Sequence, residues 1–272
     1  MPARPCASEA MEDAASPAAS FALAEGVDRA SLASRFREQS RIRIAPLLAG
    51  GGAERLHAHL DSRDDWALAY NDGAEVRTIA SGEIAGLSAE QRRAILAGID
   101  RRARAGFQFV YNLVPLLADY FDRSLADTPA FEAFEFLNSA RFLAAMRRVT
   151  GDQNIRWADA QATRFRAGQF LSCHGDEAPA DNRIAAYVLN LTPVWQRDWG
   201  GYLQFFDTAG DVEAAFRPIF NSLCLFAVPA PHSVQQVATY CAASRYAITG
   251  WLRGDTPPAD LGWRAELRGC AT

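Results

Sequence analysis

Phe170-Leu171-Ser172-Cys173-His174-Gly175-Asp176 reads as a short β-strand running into a polar loop, Glu177 to Asn182. In extended chain, residues i and i+2 project to the same side, so His174 and Asp176 can reach one ion together. The stretch lies within a region whose character changes at Ile155. From there on, short alternating or β-rich segments recur near residues 160–166, 184–191, 201–207, 222–228, 232–238 and 245–252. Gly, Pro, Asp and Asn clusters separate them, the pattern of an antiparallel all-β unit. Folded as a double-sheet jelly roll, such a unit has a mouth lined by inward-facing side chains.

Upstream, helix dominates. Arg41-Ile42-Arg43-Ile44 alternates like a strand, and Pro46 opens a helix running to about Leu60. Trp66 to Tyr70 reads as a strand ended by the turn Asn71-Asp72-Gly73. Ser88 stands three residues before Gln91, a capping box for a helix through about Arg104. Further helices are expected from about Val114 to Arg123 and from Pro129 to Val149, the second striped by Phe131, Phe134, Leu137, Phe142 and Ala145. The expected fold class is α+β. Residues 1–27, rich in Ala, Ser and Pro, make a disordered tail. Residues 28–154 form a helix-rich support, 155–254 a jelly-roll core and 255–272 a C-terminal tail.

With 272 residues, 49% of them hydrophobic, the chain can bury a substantial core. A net charge of -4 without a basic stretch gives nucleic acid little to hold. All 28 basic residues are arginine. The absence of lysine removes Schiff-base chemistry, pyridoxal phosphate anchoring and the phosphate-loop lysine. A buried anionic cosubstrate must then be held by arginine, whose planar fork pairs bidentately with carboxylates. Cys6, Cys173, Cys224, Cys241 and Cys270 are scattered and form no CxxC pair, which fits a reducing cytoplasm rather than a disulfide framework. Acidic residues Glu9, Glu12 and Asp13 interrupt the N-terminal segment where a leader would be apolar, and no apolar run reaches transmembrane length, so no membrane association is expected.

Histidine occurs at positions 57, 59, 174 and 232. His57 and His59 lie in a helical stretch, where i and i+2 point about 200° apart and chelate poorly. His232 follows Pro229-Ala230-Pro231 and starts a strand with Val234 and Val237. Two imidazoles and one carboxylate on one face of a metal leave the opposite face open, the arrangement of mononuclear non-haem Fe(II) oxygenases. Arg245 opens the strand Ser244 to Trp251, in which residues 245, 247, 249 and 251 share a face. If that face lines a barrel, Arg245 is a buried cation that calls for an anion, and Thr249 offers a hydroxyl beside it. The plainer alternative is a surface HxD, an unrelated histidine and an edge-strand arginine in water.

The order HxD, His, Arg, with Asp198-Trp199-Gly200-Gly201-Tyr202-Leu203 between and Arg245-Tyr246-Ala247-Ile248-Thr249-Gly250-Trp251 at the end, resembles the 2-oxoglutarate- and Fe(II)-dependent dioxygenases. The likeness is strongest to their prolyl-hydroxylase-like branch and covers roughly residues 155–254. It implies a double-stranded β-helix, with His174, Asp176 and His232 as iron ligands and catalytic residues. It also implies Arg245 on the distal carboxylate of 2-oxoglutarate, with Thr249 and Asn190 as further cosubstrate contacts; apart from the resemblance, Arg183 and Trp251 are read toward substrate among residues that could face the mouth or serve as packing. The implied activity is prolyl-4-hydroxylase-like: hydroxylation of an unactivated C–H, with release of succinate and CO2. Fe(II) and 2-oxoglutarate would serve as cofactor and cosubstrate, and ascorbate as reductant. The implied partner is a small molecule, peptide or protein containing proline, or free proline or another amino acid. Related halogenases lose the carboxylate that Asp176 supplies, so its presence favours hydroxylation.

Three positions depart from that pattern. Phe165 stands where many relatives carry tyrosine, Asn190 lies near the place of a cosubstrate-binding tyrosine, and the interval from His232 to Arg245 implies a wide hairpin through Thr239–Ser244. Collagen-type relatives place lysine where Arg245 stands. Two rival readings use the same residues. One is a non-catalytic metal- or acid-binding β-barrel of cupin type. The other is a zinc hydrolase, for which no HExxH-like glutamate is present and Glu177 is the nearest base.

Overall fold

The computed structural model describes residues 21–26, 28–124, 126–177 and 179–261. The expected tails lie largely outside the described residues. Within the first of them, however, Phe21 and Leu23 pack into the core, Leu23 bridging Leu48 and Phe21 meeting the ring of Phe136 at 6.3 Å. These apolar side chains find a surface to cover, so residues 21–26 pack against the support region.

The elements follow in chain order. They are α1 (Arg29–Gln39), β1 (Arg41–Ile44), α2 (Gly52–Asp61), β2 (Ala67–Asp72), β3 (Glu75–Ile79), α3 (Ser81–Gly86), α4 (Ala89–Ala103) and β4 (Phe109–Val114). Then come α5 (Leu116–Phe121), α6 (Pro129–Leu137), α7 (Ala140–Thr150), β5 (Trp157–Ala158), β6 (Gln161–Phe165) and β7 (Phe170–His174). The last are β8 (Arg183–Asn190), β9 (Leu203–Phe206), β10 (Val212–Phe216), β11 (Ser222–Ala227), β12 (His232–Val234) and β13 (Arg245–Arg253).

Helix boundaries follow local chemistry. Ser88 and Gln91 close the expected capping box at the head of α4. The long helix expected over 129–149 is two helices, because Ser139 accepts from the Phe142 backbone N–H and starts a new N-terminus, while the Asn138 amide is drawn to Ala158. Pro46 does not open a helix, since α2 begins only at Gly52. The stretch expected to be helical from Val114 shortens to α5, preceded by strand β4.

The strands hydrogen-bond in the order β1-β11-β8-β13-β6-β4-β7-β12-β9-β10, a sheet that curls into a half-barrel. One edge of β4 pairs with β6 through Asn112↔Arg164 and then with β7 through Phe109↔Leu171. β6 and β7 thus behave as one strand with a bulging loop at 166–169, and this bend turns the sheet. β13 lies along β6 and β12 lies along β7, on the two halves of the curl. The expected hairpin over 239–244 does not form, because both long edges of β12 and of β13 are occupied by other strands. The connection instead crosses between the halves, with Val237 N–H bonding Gln169 and Ala238 N–H bonding Trp199. Gly200 fits this crossing at φ 66°, where a Cβ would lie 2.2 Å from the Gln236 carbonyl oxygen.

Apolar side chains of α2, α6 and α7, among them Leu56, Leu60, Phe134 and Phe142, pack on Leu189, Leu225 and Ile248 of the outer sheet face. At about 25 cal/mol per Å² this burial is the main force holding helices to sheet. The inner face is left to line a cavity.

Candidate metal centre

β7 and β12 bring two histidines face to face. His174 and His232 occupy opposed register positions, with ring centroids 4.1 Å apart. Asp176 follows just past the end of β7 at φ 62°, a turn that swings its carboxylate back toward both rings. His174 Nε2 is 3.2 Å from Asp176 Oδ1, and His232 Nε2 is 3.5 Å from Oδ2. The donor atoms of these three residues lie within 4.8 Å of one another.

The tautomers follow from the outer contacts. His174 Nδ1 is 3.0 Å from the Ser172 carbonyl and His232 Nδ1 is 2.8 Å from that of Ala230. A carbonyl only accepts, so each Nδ1 carries the hydrogen, and in the neutral ring Nε2 presents a bare lone pair. Burial pushes the His232 pKa down, as does the neighbouring His174, against the Ala230 hydrogen bond and the Asp176 charge. Burial works to raise the Asp176 carboxyl, but the proximity of His174 and His232 and the Trp251 indole hydrogen bond hold it below the ordinary range. Two imidazole lone pairs and a carboxylate aimed at one point repel unless a cation sits among them. The donor set therefore fits a divalent metal, and its two nitrogens and one oxygen suit Fe(II).

A cavity of about 470 Å³ extends from the triad between the two halves of the sheet. Arg245 lines it from the start of β13 and is 2% exposed. Its Nε has no partner, its Nη2 reaches only the Asn190 amide oxygen at 3.5 Å, and its guanidinium stands 5.3 Å from the Phe165 ring centroid. Burial lowers its pKa to about 10. A buried cation facing a cavity, with no carboxylate in ion-pair distance among the described residues, matches an anionic ligand. Thr249, Arg183 and Trp251 also line the cavity, whereas Asn190 meets it through Arg245. Arg183 stacks 3.8 Å over the Trp251 ring and bonds Asp181 at 2.8 Å. Trp251 Nε1 donates to Asp176 Oδ2 at 3.0 Å. His57 and His59 sit on α2 and join no metal-sized cluster among the described residues; His57 packs its ring 5.6 Å from Tyr246.

Sequence reasoning missed the wall built by β4. Phe109 and Tyr111 alternate along it, Phe107 continues the row just before its start, and all three line the cavity. Their rings follow one another at tilted angles, 6.0 Å and 5.2 Å apart, and Tyr111 stacks on Phe165 at 5.1 Å. Phe107, 48% exposed, lies 5.4 Å from the His174 ring. Burial raises the Tyr111 phenol pKa, against the pull of Gln161. The signal was the period-two run Phe107-x-Phe109-x-Tyr111, just upstream of a helix-like segment.

Comparison with known proteins agrees with this geometry. Residues 160–253 match the model of the 2OG-Fe(II) oxygenase superfamily. The prolyl 3-hydroxylase OGFOD1 of Mus musculus is 31% identical over 133 residues, 46% of this chain and 24% of that protein. Its Xenopus laevis counterpart is 27% identical over 126 residues, 43% of this chain and again 24% of that protein. The match thus spans about a quarter of the length of these curated relatives. Among solved structures, a Pseudomonas putida prolyl-4-hydroxylase superposes with TM-score 0.54 at 16% identity, covering 90% of this chain and 99% of that one. A Trichoplax adhaerens prolyl hydroxylase, solved with a hypoxia inducible factor oxygen degradation domain peptide fragment, gives 0.50 at 16% identity, with 90% and 92% coverage. These superpositions establish the double-stranded β-helix. The order of HxD, His and Arg therefore converges in three dimensions, and residues 160–253 match the 2OG-Fe(II) oxygenase superfamily on a fold shared with solved prolyl hydroxylases.

Proposed function

We propose that this chain is an Fe(II)- and 2-oxoglutarate-dependent dioxygenase that hydroxylates a prolyl residue of a peptide or protein. The observation that carries the reading is the pairing of a triad of bare donor atoms with a buried, carboxylate-free arginine in one cavity. A cupin-type binding barrel would use either feature; the joint arrangement and the family match favour the oxygenase.

In this reading His174, Asp176 and His232 hold Fe(II), which when bound supplies O2 activation coupled to decarboxylation of 2-oxoglutarate. The balance is one 2-oxoglutarate, one O2 and one C–H in, with succinate, CO2 and one C–OH out. Arg245 pairs with the distal carboxylate of 2-oxoglutarate, replacing with one ion pair the charge compensation it otherwise lacks. Asn190 steadies the guanidinium, and Thr249, two positions farther along the β13 face from Ala247, adds a hydroxyl. Ser172 and Ala230 carbonyls keep both imidazoles in the tautomer that ligates. The apolar wall of Phe107, Phe109 and Leu113 keeps water from the reacting C–H, and Arg183 and Trp251 face substrate at the same cavity. Residues 155–254 are the catalytic core, with 28–154 as its support and flanking segments outside both. Relatives bear the names of both 3- and 4-hydroxylases, so the reading stops at the prolyl ring.

The test is succinate release from 2-oxoglutarate across proline-containing peptides and free amino acids, with Fe(II) and ascorbate. Release that needs both Fe(II) and a prolyl peptide supports the reading. Metal binding with no 2-oxoglutarate turnover under any substrate returns the chain to the cupin-type alternative.

A further inference from the structure

Asp176 leaves the ladder of β7 before its side chain reaches the triad, so its backbone alone does not aim the carboxylate. Its two oxygens have unlike surroundings. Oδ1 faces His174 Nε2 at 3.2 Å, and Oδ2 stands 3.5 Å from His232 Nε2. Oδ2 accepts the Trp251 indole N–H at 3.0 Å, the one hydrogen bond to this carboxylate from a side chain other than histidine among the described residues. The indole is itself fixed. It sits on β13, paired on both sides by β5, β6 and β8, and its backbone N–H donates to Asp159 Oδ1 at 2.6 Å. Its ring is covered by the Arg183 guanidinium at 3.8 Å, held in turn by Asp181.

A carboxylate can grip a metal with one oxygen or two. Two imidazoles and a single oxygen leave three coordination positions, the number that a bidentate cosubstrate and O2 require. A second oxygen would take one of them. We propose that Trp251 is a positioning residue that clamps Oδ2 of Asp176, holding the carboxylate to one-oxygen ligation and orienting it before metal arrives. This rests on the metal reading of the triad given above. The clamp lies on the strand that also carries Arg245, so one rigid element sets both the cosubstrate arginine and the metal carboxylate.

Trp251→Phe keeps an aromatic ring on the side that meets Arg183 and removes the N–H together with part of the indole's bulk. Metal-free protein is titrated with Co(II) as an oxygen-stable probe, and the thermal midpoint of the metal-free variant checks folding. The clamp predicts Co(II) affinity 10- to 100-fold below wild type at an unchanged metal-free midpoint. Affinity within twofold of wild type overturns it. If the Phe variant does not fold, Trp251→Gln and Trp251→Leu are compared. Gln retains an N–H donor where Leu has none, so at least tenfold tighter Co(II) binding by Gln supports the clamp and equal binding overturns it. Failure of the wild type itself to bind Co(II) would strike the metal reading, a result distinct from loss of the clamp.

Discussion

Replacing Arg245 by Met should move stability and ligand affinity in opposite directions. The guanidinium is 2% exposed, and its contacts are one long bond to Asn190 and the face of Phe165. Burial lowers its pKa by more than two units, to about 10. At roughly 1.4 kcal/mol per pKa unit, that displacement is a cost on the order of 3 kcal/mol for keeping the charge there without a ligand. Met fills similar volume without the charge, so ligand-free Arg245→Met should be more stable toward urea by about 1–3 kcal/mol. Its affinity for 2-oxoglutarate should fall by the cost of breaking a buried charge pair, about 2–5 kcal/mol, or roughly thirtyfold to a few thousandfold. Urea unfolding gives the first quantity, and calorimetric titration of the Mn(II)-loaded protein the second. An affinity unchanged within threefold, or a ligand-free variant destabilised by about 2 kcal/mol or more, would refute the assignment of Arg245 as an unpaired cation awaiting an acid.

Four further outcomes follow from the same geometry. Asp176→Ala should abolish both succinate release and hydroxylation, since it removes one of three donors; retained wild-type turnover would exclude Asp176 from the site. Saturating Fe(II) or Mn(II) at about 100 times Kd should stabilise the metal-free protein by about 2.7 kcal/mol, raising Tm by roughly 5–10 °C, and a chelator should reverse it. A Tm indifferent to both metals would count against a preformed triad. His57→Ala with His59→Ala should leave Co(II) affinity at the wild-type value, because neither ring joins the donor cluster; a tenfold loss would place them in it. Ser88→Ala removes the side-chain half of the α4 capping box and should cost about 1 kcal/mol in urea unfolding without touching metal affinity.

Local chemistry was readable from the residues themselves. The HxD pair at the end of an alternating run marked both side chains for one ion, although in the structure a turn at Asp176, φ 62°, rather than strand period brings its carboxylate to His174. Ser88 and Gln91 declare a helix start without help from elsewhere. What escaped was whatever depends on neighbours. The break at Asn138–Ser139 lies inside an apolar stripe, and it becomes visible only once Ala158 engages the Asn138 amide. Strand β4 borders a helical segment, and its aromatic row acquires meaning only when β6 and β7 line up along one edge.

The order of ligating and basic side chains along the chain, the lack of lysine and the alternation of the strands were enough to specify metal chemistry on a jelly roll. Those properties are local, carried by side-chain identity and backbone period. The convergence of His174 with His232, the burial of Arg245 away from any carboxylate of the described residues, and the indole hydrogen bond to Asp176 were decided by strand pairing between segments far apart in the chain. Pairing register is chosen by the whole buried sheet. One residue of slip would turn every inward side chain outward, and no single segment encodes that choice.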